Sequence, residues 1–281
     1  MIQINGLKKN YGSFHLDISM EIPAGRVTGL VGRNGAGKST AIKSILGLIR
    51  PDGGEVRVLG KPVESLTPTD REKIGAAFSD SGFSGFLKLG DVIRILRACY
   101  RSFDEKWFTE ACGKAGLSMD KTLKEYSTGM RARLRVLTAC SHGAKLLILD
   151  EPTAGLDVVA RREVLDMLRK HLSEDSERTV LISSHISSDL EGFCDDIYMI
   201  HDGRIVLYED TDVILGEYAV LKLSPSSYEK LDKKYILQTR RESYGYTCLT
   251  DQRQFYAENY PDIVIESGSI DDLIILMEKG A

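Results

Sequence analysis

The chain has 281 residues, 42% hydrophobic and 28% charged, enough to bury one large core or two smaller ones without disulfides or a structural metal. Its 37 Lys and Arg against 41 Asp and Glu leave a formal net charge of −4, which excludes the global cationic field of a dedicated nucleic-acid binder. The longest apolar runs, such as Leu146-Leu147-Ile148-Leu149, fall far short of the about 20 residues of a membrane-spanning helix, and the five scattered cysteines form no C-x-x-C pair. The first residues carry no charged segment followed by a long apolar stretch, so no signal peptide is expected, and the cysteine usage fits a reducing compartment.

In chain order, residues 27–31 read as a buried strand. A Gly-rich turn follows, and then a helix with Ala41, Ile42, Ile45, Leu46 and Ile49 on one face. Residues 89–142 contain no convincing strand and predict a helical insert. Within it Ser102-Phe103-Asp104-Glu105 has capping-box spacing, Trp107, Phe108, Ala111, Cys112 and Ala115 share a face, and Gly116 closes the helix. Strands are expected at 146–149, 179–183 and 196–200, with an amphipathic helix at 158–172 between the first two. Strand and helix in alternation predict an α/β fold, a parallel sheet covered by helices. After Tyr208 the texture changes. A strand at 219–223, a helix at 225–231, two short strands at 235–240 and 246–250 and a closing helix at 270–278 read as a small α+β appendix. The division is therefore 1–210, with a helical subdomain at about 89–142, and 211–281. No repeat or heptad array predicts a coiled-coil arm.

Gly32-Arg33-Asn34-Gly35-Ala36-Gly37-Lys38-Ser39 matches G-x-x-x-x-G-K-[ST] between a strand and a helix. Glycines let the backbone curl around phosphate oxygens and aim its N–H groups at them, and the helix adds its positive end. Lys38 supplies a charge for the β- and γ-phosphates, and Ser39 a hydroxyl for Mg²⁺. Asp150 and Glu151 end a buried strand, where a ligand crevice is expected. There Asp150 suits the Mg²⁺ shell, and Glu151 suits polarising a water in line with the γ-phosphate. His185 ends the next strand and is placed to reach the same phosphate or water.

These segments occur, together with Tyr126-Ser127-Thr128-Gly129-Met130 and Gly155-Leu156-Asp157, in the order and spacing of an ABC (ATP-binding cassette) ATPase, and the chain resembles that family over about its first 210 residues. Asp150-Glu151-Pro152-Thr153-Ala154-Gly155-Leu156-Asp157 carries most of the resemblance, and Ser127-Thr128-Gly129-Met130-Arg131 is similar to the signature of bacterial single-cassette exporter subunits. The resemblance implies a P-loop cassette fold and ATP hydrolysis with Mg²⁺. It implies ATP contacts from Gly32, Asn34, Gly35, Gly37, Lys38, Ser39 and Thr40, and an adenine-stacking role for Tyr11, which as an ordinary hairpin aromatic would need none. Ser127, Thr128 and Gly129 would contact the γ-phosphate held by a second cassette. Asp157 would link the two sites, and is also placed to cap the following helix.

The partners implied are a separate membrane subunit and a second cassette, identical or not, with the chain peripheral on the cytoplasmic side of the cell membrane and no nucleic acid bound. Two alternatives stay open: an ABC ATPase outside transport, and a weakly active regulatory cassette of a heterodimer. Two departures from the family pattern bear on this. The usual signature is Leu-Ser-Gly-Gly-Gln, and here Thr128 and Met130 replace a glycine and the glutamine. After residues 74–78 the family has a glutamine that reaches Mg²⁺, and this chain has Ser79 and then Asp80, either of which is a candidate metal contact.

Overall fold

The computed structural model describes residues 1–79, 82–186 and 188–277. Ile2–Tyr11 (β1) and Phe14–Ile22 (β2) pair as an antiparallel hairpin whose inward side chains, Ile2, Ile4, Leu16 and Ile18 among them, are buried. Val27–Val31 (β3), buried at every position, leads through the Gly-rich turn into Lys38–Ile45 (α1). Gly53–Val58 (β4) and Lys61–Pro62 (β5) return to the first sheet, giving the order β2-β1-β4-β5. Pro68–Arg71 (α2) precedes Ile74–Phe78 (β6). The insert holds Leu89–Cys99 (α3), Glu105–Lys114 (α4) and Thr128–Cys140 (α5). Then come Leu146–Asp150 (β7), Val158–Leu172 (α6), Thr179–Ser184 (β8), Ser188–Glu191 (α7), Asp196–His201 (β9) and Arg204–Asp210 (β10).

The central sheet has the order β10-β9-β3-β8-β7-β6. All strands run parallel except β10, which pairs antiparallel with β9 at one edge. Parallel strands covered on both faces read as continuous apolar runs, and alternate residues of β7 serve two cores. Leu146 and Ile148 join the N-terminal sheet and α1, while Leu147 and Leu149 join α5 and α6. This arrangement brings the C-terminal ends of β3, β6, β7 and β8 to one edge, the place where open α/β sheets bind ligands.

The expected α/β frame and helical insert are present. The antiparallel N-terminal sheet and the strands β6 and β10 add to it. The first helix ends a turn earlier than its apolar face implied, because Gly47 adopts φ +69°, leaving Ile49 outside it. The capping box at Ser102 does not form. Asp104 is the N-cap of α4 and accepts the Trp107 N–H at 2.9 Å, while Ser102 donates to the His142 carbonyl. Phe103 packs into the insert's core, which fixes the entry of the chain at Asp104.

The remaining elements are Thr211–Glu217 (α8), Ala219–Leu223 (β11), Pro225–Lys230 (α9), Ile236–Glu242 (β12), Gly245–Thr250 (β13), Arg253–Asn259 (α10), Val264–Ser267 (β14) and Ile270–Met277 (α11). Residue 278, the expected end of the last helix, lies outside the described residues. The third sheet, β12-β13-β11-β14, is two-faced. Leu221 and Cys248 close a small local core, whereas Val220, Leu249, Ile214, Ile270 and Leu273 belong to the main core beside Leu190 and Met199.

Candidate active site

The turn after β3 is shaped by glycines that nothing larger replaces. Gly32 sits at φ +150°, and a Cβ there would lie 2.2 Å from the Ile200 carbonyl oxygen. Gly37, at φ +116°, precedes α1, and a Cβ there would lie 2.8 Å from Leu16 Cδ1 and 3.1 Å from Phe14 Cζ. The buried Lys38 ammonium turns back over this loop, donating to the Gly32 carbonyl at 2.7 Å and the Arg33 carbonyl at 3.2 Å. It also lies 3.3 Å from Glu151 Oε1.

One cavity of about 330 Å³ collects most of the residues singled out from the sequence: Asn34, Gly35, Gly37, Lys38, Ser39, Thr40, Ser79, Asp150 and Glu151. Ser79 is anchored by its backbone. Its N–H donates to the Asp150 carbonyl, and its own carbonyl accepts from Arg135 at 2.7 Å. Asp80 lies outside the described residues.

The acidic pair is oriented by a residue the sequence reading passed over. Ser183 Oγ donates to Asp150 Oδ1 at 2.6 Å and accepts the Glu151 N–H at 3.0 Å. Glu151 stands at φ +51°, a region that costs a non-glycine residue about 1–2 kcal/mol and that the surroundings must impose. Here the Ser183 hydroxyl and carbonyl both hold its N–H. The twist aims the carboxylate into the cavity, and Oε2 meets Nδ1 of His185, which lines the neighbouring cavity on the other side of the phosphate loop, at 2.5 Å. An ionised carboxylate only accepts, so Nδ1 carries the proton in this contact. Glu151 Oε1 is buried without a hydrogen bond, an acceptor turned toward the phosphate loop. The signal for Ser183 was available, since it opens the Ser183-Ser184-His185 segment on the strand beside the acids.

Other candidates lie elsewhere. Tyr11 ends β1, half exposed and outside the lining of this cavity, whereas Phe14, across the hairpin, lines it. Ser127 caps α5, accepting the Met130 N–H at 3.2 Å, and Ser127, Thr128 and Gly129 take no part in the phosphate cavity of their own chain. Asp157 caps α6, accepting the Ala160 N–H at 2.8 Å. For Mg²⁺ the donor set fits. Ser39 and Asp150 face one cavity, Ser183 occupies only one carboxylate oxygen of Asp150, and Mg²⁺ keeps most of its waters when it binds phosphates, so few protein oxygens suffice.

A model described as ABC transporter matches residues 16–154, and one described as an AAA domain, putative AbiEii toxin, type IV toxin–antitoxin system, matches residues 121–188. The bacitracin transport ATP-binding protein BcrA of Enterococcus faecalis is 34% identical over 256 residues, which span 90% of this chain and 82% of the relative. A solved ATP-binding subunit of an ABC transporter superposes with a TM-score of 0.67 at 25% identity, covering 76% of this chain and 91% of that one. A dimeric post-hydrolysis ATP-binding cassette bound to ADP and Pi superposes at 0.66 with 23% identity, covering 75% and 99%. Among the described residues no helix is long and apolar enough to cross a membrane. With about four-fifths of the relative matched at 34% identity and the cassette fold reproduced, the chain belongs to the ABC transporter family as an ATP-binding subunit, an ATPase.

Proposed function

We propose that the chain powers export through a separate membrane subunit, working from the cytoplasmic face of the cell membrane as a head-to-tail pair of cassettes that closes over two MgATP. The observation that carries this reading is the convergence of Lys38, Asp150, Glu151 and His185 on one loop of glycines. In this proposal residues 1–210 form the ATPase and 211–281 an accessory unit sharing its core.

ATP enters with its phosphates against the loop N–H groups and the end of α1, and Tyr11 stacks on the adenine at the mouth. The phosphates compete with the Gly32 and Arg33 carbonyls and with Glu151 for the Lys38 ammonium. Released from that ion pair, Glu151 accepts a proton from the attacking water and orients it in line with the γ-phosphate. His185, fixed by Glu151 through Nδ1, turns Nε2 to the γ-phosphate side. Ser39 and Asp150 would hold Mg²⁺, with Ser79 or Asp80 as the further candidate contact, and the ion would supply charge neutralisation to the phosphates. Ser127, Thr128 and Gly129, at the positive end of α5, serve the partner's nucleotide, consistent with their lying outside their own cavity.

Two variants test the reading. Lys38→Ala is expected to abolish ATP binding in a fluorescent-nucleotide titration. Glu151→Gln is expected to keep binding and lose turnover by roughly a hundredfold or more, accumulating an ATP-bound dimer. Near wild-type hydrolysis by Glu151→Gln would move the base elsewhere.

A further inference from the structure

Beside the phosphate loop lies a second cavity, of about 580 Å³. Residues 32–36 and His185 form one wall, and α11 forms another through Asp271, Ile274 and Ile275. These three, at i, i+3 and i+4, share one helix face. Ile275 is 49% exposed, and Ile274 is half-buried with its inner side against the main core. An exposed patch opens α6, directly after Asp157. Val158 and Val159 are 77% and 69% exposed, and Arg162, one turn on, is exposed too. Among the described residues the side chains of Arg162 and Asp271 make no hydrogen bond or ion pair.

The two patches are complementary with opposite polarity. On α6 the apolar pair comes first and the cation one turn later. On α11 the anion comes first and the apolar pair one turn later. Laid antiparallel, apolar meets apolar and Arg162 meets Asp271. Both patches also flank the seam of the pairing proposed above. Val158 follows Asp157, the residue assigned to link the two sites, and α11 borders the loop that a partner's signature segment would cover. Two-fold symmetry then makes the contact twice.

We infer that the first turns of α6 dock antiparallel on α11 of a second copy of this chain, Val158 and Val159 against Ile274 and Ile275, and Arg162 against Asp271, so that the C-terminal helix becomes part of the ATP-driven dimer contact. This rests on the head-to-tail reading, and the experiment separates the two. The full chain carrying Glu151→Gln and Cys99→Ser is used, since Cys99 is exposed and the other four cysteines are buried. With Val159→Cys and Ile275→Cys added, a short bis-maleimide is expected to give a covalent dimer on a denaturing gel. The yield should be at least tenfold higher with MgATP than without. Arg162→Glu and Asp271→Arg, each alone, should weaken ATP-driven dimerisation at least about fivefold by sedimentation, as like charges now face each other, and the double swap should restore it to within about twofold. An ATP-driven dimer that neither cross-links nor responds to the charge swap overturns this contact and leaves the pairing standing. A parent that stays monomeric with MgATP overturns the pairing, and the contact with it. Cross-linking of Ile275→Cys to the membrane subunit instead would assign α11 to that partner and overturn the inference.

Discussion

At the junction of β7 and β8, one small side chain sets the direction of two acids: the Ser183 hydroxyl donates to Asp150 Oδ1 and accepts the Glu151 N–H. Ser183→Ala removes both contacts. The Ser183 carbonyl still holds the Glu151 N–H at 3.2 Å, so the φ +51° turn keeps one of its restraints. The expected result is a folded, ATP-binding protein with kcat lowered roughly tenfold, the cost of a base held less firmly in line, and KM changed by less than about threefold. Equal loss in kcat/KM through KM alone would reduce Ser183 to a packing role. The residue types of this site were legible in the sequence because phosphate chemistry restricts them tightly: glycines for the loop, a lysine, and two acids at a strand end. The orienting serine was visible only as part of the Ser183-Ser184-His185 segment, and its two contacts to the acids follow from the register of β8 against β7.

The helix α6 shows how an element ties the site to the core. Its N-terminus is capped by Asp157. Its C-terminal turn buries His171, whose Nε2 meets the Ala144 carbonyl at 2.9 Å while Arg178 approaches Nδ1 at 3.1 Å. Burial, reinforced by the Arg178 charge, lowers the imidazole pKa to about 4. In the unfolded chain the ring binds its proton below about pH 6.5, and in the folded chain only below about 4. The stability it contributes is therefore complete above 6.5 and drains as pH falls from there toward 4. Burial lowers His142 in the same direction. Wild-type protein should lose about 1 kcal/mol to His171 between pH 7.5 and 5.5 in chemical denaturation, and His171→Gln should flatten that slope. An unchanged slope would show that the ring is charged in the fold. The helix itself was legible to the residue, since Val164, Leu165 and Leu168 keep strict phase with Asp157 in front. α8, α10 and β14 were not, being short and held by packing against the appendix rather than by pattern.

For the whole molecule, the separability of the C-terminal region is the open matter. Every family motif lies upstream of Asp210, which on sequence alone makes residues 211–281 dispensable for ATP binding. In the fold, Ile214, Val220, Leu249, Ile270 and Leu273 complete the main core, α11 borders the phosphate loop, and the Ile270 N–H donates to Glu191. Cutting after Asp210 uncovers several fully buried side chains, each contributing about 1.5–3 kcal/mol. The truncated chain should aggregate or unfold at a markedly lower temperature in a thermal melt, with ATP binding lost as a consequence. A soluble truncation that melts within a few degrees of the full chain would make the appendix an independent unit.

The sequence by itself determined the chemistry and the architecture that chemistry requires. Catalysis on a phosphate fixes residue types at fixed spacing, and strands buried on both faces betray themselves as apolar runs between amphipathic helices. What only the tertiary structure decided are the relations between segments far apart in the chain: β8 lying beside β7 so that Ser183 and His185 meet the acids, the two-faced C-terminal sheet completing the main core, and α11 facing the phosphate loop. Burial of a side chain is set by whichever element covers it, and a local pattern of apolar residues states that a face is covered without naming the cover.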